Sequence, residues 1–167
     1  MYNLDRYYGT VESELGTIYI VAQDQQISAV HIGEEDFEKH EQRDAIFSPE
    51  NALVKEAVKQ MEDYLSGKRT DFNLPLQVEG TQFQKSVWKV LHSIPFGTTF
   101  SYQEVAERIG NSKAVRAIGQ ANKANRLPII IPCHRVIGKN KKLTGYAGTR
   151  TDIKEKLLTL EGAGFKR

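Results

Sequence analysis

A single cysteine stands among the 167 residues. That excludes an internal disulfide and any zinc centre built from several thiolates. No run approaches the roughly 18 apolar residues of a membrane-spanning helix. The opening Met1-Tyr2-Asn3-Leu4-Asp5-Arg6 lacks a basic stretch followed by an apolar one. No signal peptide is therefore expected, and a cytoplasmic protein without membrane partners is. The four histidines, His31, His40, His92 and His134, are scattered, and no two stand four apart as a helical metal pair would. No metal and no cofactor are expected. Repeats and low-complexity tracts are lacking too.

What is present is enough to build a core. A 40% hydrophobic, 26% charged chain of this length is ordinary for a globular protein and needs no staples. Its net charge of +2 conceals a division. Residues 1–80 hold 7 Lys+Arg against 16 Asp+Glu, a net −9; residues 81–167 hold 16 against 5, a net +11. Such polarity implies two domains, 1–80 and 81–167, and a polyanionic partner for the second.

Local patterns divide at the same place. The runs around Tyr7 to Glu12, Thr17 to Ala22 and Gln26 to Ile32 are β-branched and aromatic with short polar breaks, which predicts an antiparallel meander. Glu34 to Asp44 is strongly acidic and reads as a solvated loop. From Asn51 a helix is predicted, with Val54, Ala57, Met61, Tyr64 and Leu65 on one face and Gly67 at its end. Thr70 to Gly80 reads as the connection between domains. A second helix is predicted from Gln82 to Ser93, broken by Pro95-Phe96-Gly97. Ser101-Tyr102-Gln103-Glu104 is a capping box opening a third. Gly110 stops that helix, and Asn111 or Ser112 is expected to cap the next, Lys113 to Lys123.

Helix, glycine turn, helix is the helix-turn-helix pattern. Lys113, Arg116, Gln120 and Lys123 share one face of the second helix, with Val115 and Ile118 expected inward. Ala114, Ala117 and Ala121 beside that face would let its backbone approach a groove closely. A solvated lysine-rich helix has the same look; the capping box, the turn and the +11 charge favour nucleic acid. Gly138 to Lys142 reads as a basic hairpin tip, hence a winged variant. A last helix spans Thr151 to Glu161 and ends at Gly162.

The chemistry centres on Ile129-Ile130-Ile131-Pro132-Cys133-His134-Arg135-Val136. A lone cysteine is ordinarily a small buried hydrophobe. The polar pair His134-Arg135 beside it suits an activated thiolate instead. Ile153, Leu157 and Glu161 recur every four residues, so Glu161 falls on the buried face of the last helix. A carboxylate there needs a partner. Glu161 orienting His134, and His134 activating Cys133, would form a triad of nucleophile, base and orienter. Neighbours on an extended strand point to opposite faces, so His134 is expected to act through a water.

Pro132-Cys133-His134-Arg135-Val136 resembles the active-site motif of the O6-alkylguanine-DNA alkyltransferases, or methylated-DNA–protein-cysteine methyltransferases. The resemblance runs from Phe83 to Gly162. It includes Phe96-Gly97-Thr98-Thr99-Phe100-Ser101-Tyr102, Lys113-Ala114-Val115-Arg116-Ala117-Ile118-Gly119, Ala124-Asn125 and Leu160-Glu161-Gly162. It implies an α+β fold: a small N-terminal α/β domain of ribonuclease-H-like shape, then a winged helix-turn-helix domain. It implies suicide repair by a monomer, in which a flipped O6-alkylguanine or O4-alkylthymine in duplex DNA surrenders its alkyl group to the cysteine. Carried over residue by residue, Cys133 is the acceptor, His134 the water-mediated base and Glu161 its orienter. Tyr102 is the proton donor to the leaving guanine, Asn125 the holder of the turn before the active site, and Lys154 a lysine near the pocket. Val136 offers a backbone acceptor to the base, and Tyr146-Ala147-Gly148 form a lid. DNA contacts fall to Thr99, Ser101, Lys113, Arg116, Ala117, Gln120 and Lys123, with Arg116 filling the stack.

Two departures from the family pattern stand out. Thr149-Arg150-Thr151 follows Gly148 where many relatives have a second glycine, one residue longer before the last helix. Asn122 stands where some relatives carry an apolar contact to the base. Some members also hold zinc in the N-terminal domain through cysteines, which this chain lacks. Three rivals differ in outcome: a non-catalytic reader of alkylated bases would lack the cysteine, a redox-sensing winged-helix regulator would need dimer symmetry, and a cysteine hydrolase would turn over.

Overall fold

The computed structural model describes residues 5–41, 44–143 and 151–166. The chain divides into two compact units, Met1–Val78 and Glu79–Arg167.

The first unit is a four-stranded sheet in the order β3-β2-β1-β4. Strands β1 (Arg6–Ser13), β2 (Gly16–Gln23) and β3 (Gln26–Ile32) form the expected antiparallel meander. The short β4 (Ala45–Phe47) joins β1 in parallel. The alternation of side chains sends Val11, Ile18, Ile20 and Val30 to one face. There α2 (Ala52–Leu65) buries Val54, Ala57, Met61 and Tyr64. Its N-cap is Asn51, whose side chain accepts from the amides of Leu53 and Val54. The approach is close: a Cβ on Gly9 of β1 would lie 2.6 Å from Val54. The segment 70–80 is more than a connection, because Ile27 of β3 exchanges backbone hydrogen bonds with Pro75 and Gln77.

The acidic segment is a correction. Glu34–Glu41 forms helix α1, against the expected solvated loop. Phe37 is the reason: its ring stacks on Tyr19 at 4.1 Å and packs on Tyr8 at 4.6 Å, beside Val21 and Ala29 on the sheet's second face. Glu34, Glu35 and Asp36 occupy the first turn and Lys39 and His40 the last, an order that suits the helix dipole.

The second unit holds α3 (Gln82–Ser93), β5 (Phe100–Ser101), α4 (Tyr102–Arg108), α5 (Val115–Lys123), β6 (Val136–Ile137) and α6 (Thr151–Glu161). Thr81-Gln84 and Ser101-Glu104 close capping boxes on α3 and α4. Trp88 of α3 donates its Nε1 hydrogen to the Ala121 carbonyl at 2.9 Å, which locks α3 to α5.

Three expectations need correcting here. Helix α5 starts at Val115, with Ala114 at its cap and no side-chain cap from Asn111 or Ser112. Val115 is 37% exposed and Ala121 is buried; Ile118 alone of the expected pair points inward. The apolar run before the cysteine does not continue as a strand, because Cys133–Arg135 is a single 3-10 turn. The basic tip is partly as expected: Gly138 donates its amide to the Lys142 carbonyl across a turn at Lys139–Lys141. The arm that follows pairs with the C-terminal tail, Leu143 N–H to Lys166 O and Lys166 N–H to Lys141 O. Strand β6 pairs in parallel with β5.

Candidate active site

The segment that delivers Cys133 is a taut backbone path. Asn125 donates from Nδ2 to the Ile131 carbonyl at 2.8 Å, and its Oδ1 accepts from the Leu127 amide at 2.9 Å. Ile129 sits at φ +75°, a left-handed conformation that a β-branched residue adopts only under constraint. Cys133 then donates its amide to the Ile131 carbonyl at 2.7 Å and opens the 3-10 turn. The thiol is buried, with 3% of the residue exposed.

His134 is fully buried, and its Nε2 lies 2.7 Å from Glu161 Oε2. Burial pushes the His134 pKa down, and Arg135 and Lys154 add to the effect; Glu161 opposes without prevailing. A neutral imidazole facing a carboxylate donates from Nε2, which makes Nδ1 its basic nitrogen.

Glu161 stands at the end of α6, whose buried residues also include Ile153, Leu157 and Leu158. Arg135 grips it with two prongs, Nε to Oε1 at 2.8 Å and Nη2 to Oε2 at 2.9 Å. The third prong, Nη1, donates to the Ile94 carbonyl at the end of α3 at 2.6 Å. Gly97 completes the seat: its φ is +80°, and a Cβ there would lie 3.3 Å from the Glu161 carbonyl oxygen. Sequence reasoning paired Glu161 with His134 but missed Arg135. The available signal was that one imidazole cannot satisfy a buried carboxylate, while an adjacent guanidinium can bind it bidentately.

Lys154 is wholly buried, and its Nζ lies 5.9 Å from the centre of the Tyr102 ring. Burial lowers its pKa to about 8, and interaction with Cys133 opposes the shift. Buried Lys154 therefore lies close to both the half-buried Tyr102 ring and Cys133. Asn122 is buried and donates from Nδ2 to the Cys133 carbonyl at 3.4 Å. Val136, also buried, follows the turn and donates its own amide back to the Cys133 carbonyl.

Around this centre, Lys113, Arg116, Ala117, Gln120 and Lys123 are exposed on α5 and the turn before it, and Thr99 is half-buried. Ser101 caps α4, its hydroxyl oxygen accepting from the Glu104 amide. Tyr146, Ala147 and Gly148, together with the longer Thr149-Arg150 connection, lie outside the described residues. The geometry offers a buried thiol beside a histidine polarised by a clamped carboxylate, near an exposed basic helix. No helix among the described residues is long and apolar enough to cross a membrane.

Residues 82–163 match the family model of the 6-O-methylguanine DNA methyltransferase DNA binding domain, and residues 6–78 that family's ribonuclease-like domain. The chain is 45% identical to the constitutive methylated-DNA–protein-cysteine methyltransferase of Bacillus subtilis (strain 168), over 96% of this chain and 98% of that protein. It is 46% identical to the methylated-DNA–protein-cysteine methyltransferase of Methanosarcina acetivorans, over 94% and 99%. A crystal structure of Mycobacterium tuberculosis OGT in complex with DNA superposes with a TM-score of 0.83 at 38% identity, covering 93% of this chain and 92% of that one. By both domains and along nearly its whole length, the chain belongs to the 6-O-methylguanine DNA methyltransferase family.

Proposed function

We propose that this chain repairs duplex DNA by taking the alkyl group of O6-alkylguanine, or of O4-alkylthymine, onto Cys133, irreversibly and once per molecule. It acts as a monomer in the cytoplasm and uses no cofactor. The observation that carries this reading is the relay behind the chain's one thiol: His134 bound to Glu161 at 2.7 Å, with Glu161 itself clamped by Arg135.

The exposed cationic face of α5 binds the phosphate backbone, and Arg116 occupies the stack that the damaged base leaves. Extrusion costs a few kcal/mol, which a planar cation partly offsets. The flipped base rests against the backbone of Val136 and under Tyr146, Ala147 and Gly148. The thiol proton passes through a water to Nδ1 of His134. The thiolate then attacks the alkyl carbon in line. The S–C bond forms as the C–O6 bond breaks, the electron pair goes to guanine, and Tyr102 supplies the leaving base with a proton. Lys154 keeps the thiolate in an electropositive setting, and Asn125 fixes the turn that presents it.

Intact mass after mixing with a duplex containing one O6-methylguanine tests this. The expected product is protein heavier by one methyl in place of one hydrogen, stoichiometric and without turnover, and Cys133→Ser gains nothing while still binding DNA. Residual transfer by the serine variant within about tenfold of the parent would refute the assignment.

A further inference from the structure

The side chains scattered in sequence come together at the sheet's second face. His31 of β3 places Nδ1 3.0 Å from Asp36 Oδ2, and His40 places Nδ1 3.2 Å from Asp36 Oδ1 and 2.9 Å from the Asp36 carbonyl oxygen, a bond that an ion would replace. The two imidazole rings lie nearly parallel, 14° apart, with centres at 5.6 Å. One donor atom from each of the three residues falls within 4.8 Å of the others. Zinc bonds of about 2.0–2.2 Å to nitrogen and oxygen set tetrahedral ligand atoms roughly 3.3 Å apart, a spacing that rotation of the solvent-exposed Asp36 and His40 side chains brings within reach.

An independent feature points the same way. The second nitrogen of His31, Nε2, lies 3.3 Å from Glu41 Oε2, and Glu41 is buried and paired through Oε1 with Arg6 at 3.2 Å. A carboxylate gripping the far nitrogen of a ligating histidine is the outer-sphere arrangement that fixes ring orientation and raises ligand basicity. His31 itself is buried, whereas the Asp36 and His40 side chains are 44% and 54% exposed. One buried ligand and two solvent-exposed ones make a site that an ion can reach.

We propose that His31, Asp36 and His40 bind one divalent transition-metal ion of the zinc class, with Glu41 orienting His31 from behind. The two imidazoles and one carboxylate select zinc, cobalt or nickel over magnesium or calcium, which prefer all-oxygen cages. The site uses no thiolate and lies in a different unit from Cys133. Its ligands join β3 to α1, so the ion acts as a clasp holding that helix on the sheet.

The test is titration of the untagged full chain with Zn2+ by calorimetry and with Co2+ by visible absorption. One equivalent is expected, with Co2+ displaced by Zn2+. His40→Ala and Asp36→Asn, both at exposed positions, should each weaken binding at least tenfold, and Glu41→Gln by about 10- to 100-fold. Cys133→Ser should leave the affinity unchanged. The proposal fails if no saturable uptake occurs below about 1 mM metal. It fails equally if the folded His40→Ala protein binds as tightly as the parent, or if Cys133→Ser abolishes uptake.

Discussion

At the scale of single residues, Glu161 is the point where chemistry and stability meet. It binds His134, the base proposed for the thiol, and its charge is held in turn by Arg135. Glu161→Gln and His134→Phe should each slow transfer more than tenfold and raise the apparent pKa of Cys133; single-turnover rates and a thiol-reactivity titration measure both. Arg135→Leu leaves a buried carboxylate without its guanidinium, a loss on the order of 3–5 kcal/mol that denaturant unfolding reads directly. Lys154 gives the pH profile its sign. Its pKa of about 8 lies below the ordinary 10.5, so the cation beside Cys133 is lost as pH rises through 8. Transfer should therefore stop rising, or fall, above about pH 8, and Lys154→Met should be slower at pH 7 and lack that break. The burial of Glu161 was legible in sequence because the four-residue spacing of Ile153, Leu157 and Glu161 fixes a buried face. Arg135 was not, because a strand would have pointed it away from His134, whereas the 3-10 turn brings both to one carboxylate.

At the scale of elements, the strands and helices with their own caps and apolar stripes were readable: the meander, α2, α3, α4 and α6. Those that depend on distant contacts were not. Helix α1 has one apolar anchor, Phe37, and the partners of that ring lie on β1 and β2. The turn at Cys133 follows a left-handed Ile129, which hydrophobic periodicity cannot reveal. The ion network under α1 also titrates. Burial lowers the His31 pKa, but hydrogen bonds to Asp36 and Glu41 outweigh it, and the net shift is upward from 6.5. Burial likewise raises Asp36 and Glu41, and bonds to His31 carry both downward. The histidine contribution is complete below pH 6.5 and is lost as pH rises through the raised value. The carboxylate contribution is present above their ordinary range and is lost as pH falls through the lowered values. In metal-free protein, NMR titration should place His31 above 6.5, and Glu41→Gln should bring it down. A His31 midpoint unmoved by that substitution would remove Glu41 from the network.

At the scale of the whole molecule, the charge division organises recognition. The net −9 of residues 1–80 should repel phosphate within about a Debye length, roughly 10 Å at 0.1 M salt, so the phosphate contacts are expected from the other unit. About four Lys/Arg contacts should give a log–log salt slope near −3 to −4. Arg116→Ala should impair transfer far more than binding. Lys123→Ala should weaken binding to all sequences with little effect on the chemical step; filter binding and single-turnover assays separate the two. A footprint with strong sequence preference and major-groove protection would contradict this division of labour. The pairing of Leu143 with Lys166 has a different consequence. Its two backbone bonds tie the ends of the stretch that contains residues 144–150 and α6, while Arg135, His134 and Gly97 seat Glu161 independently. Lengthening a loop whose ends are already fixed is cheap, about 0.6 kcal/mol per doubling. The extra residue before Thr151 therefore need not disturb the proton relay. Substitutions between Leu143 and Thr151 can accumulate, letter by letter, while the seat of Glu161 stays constant.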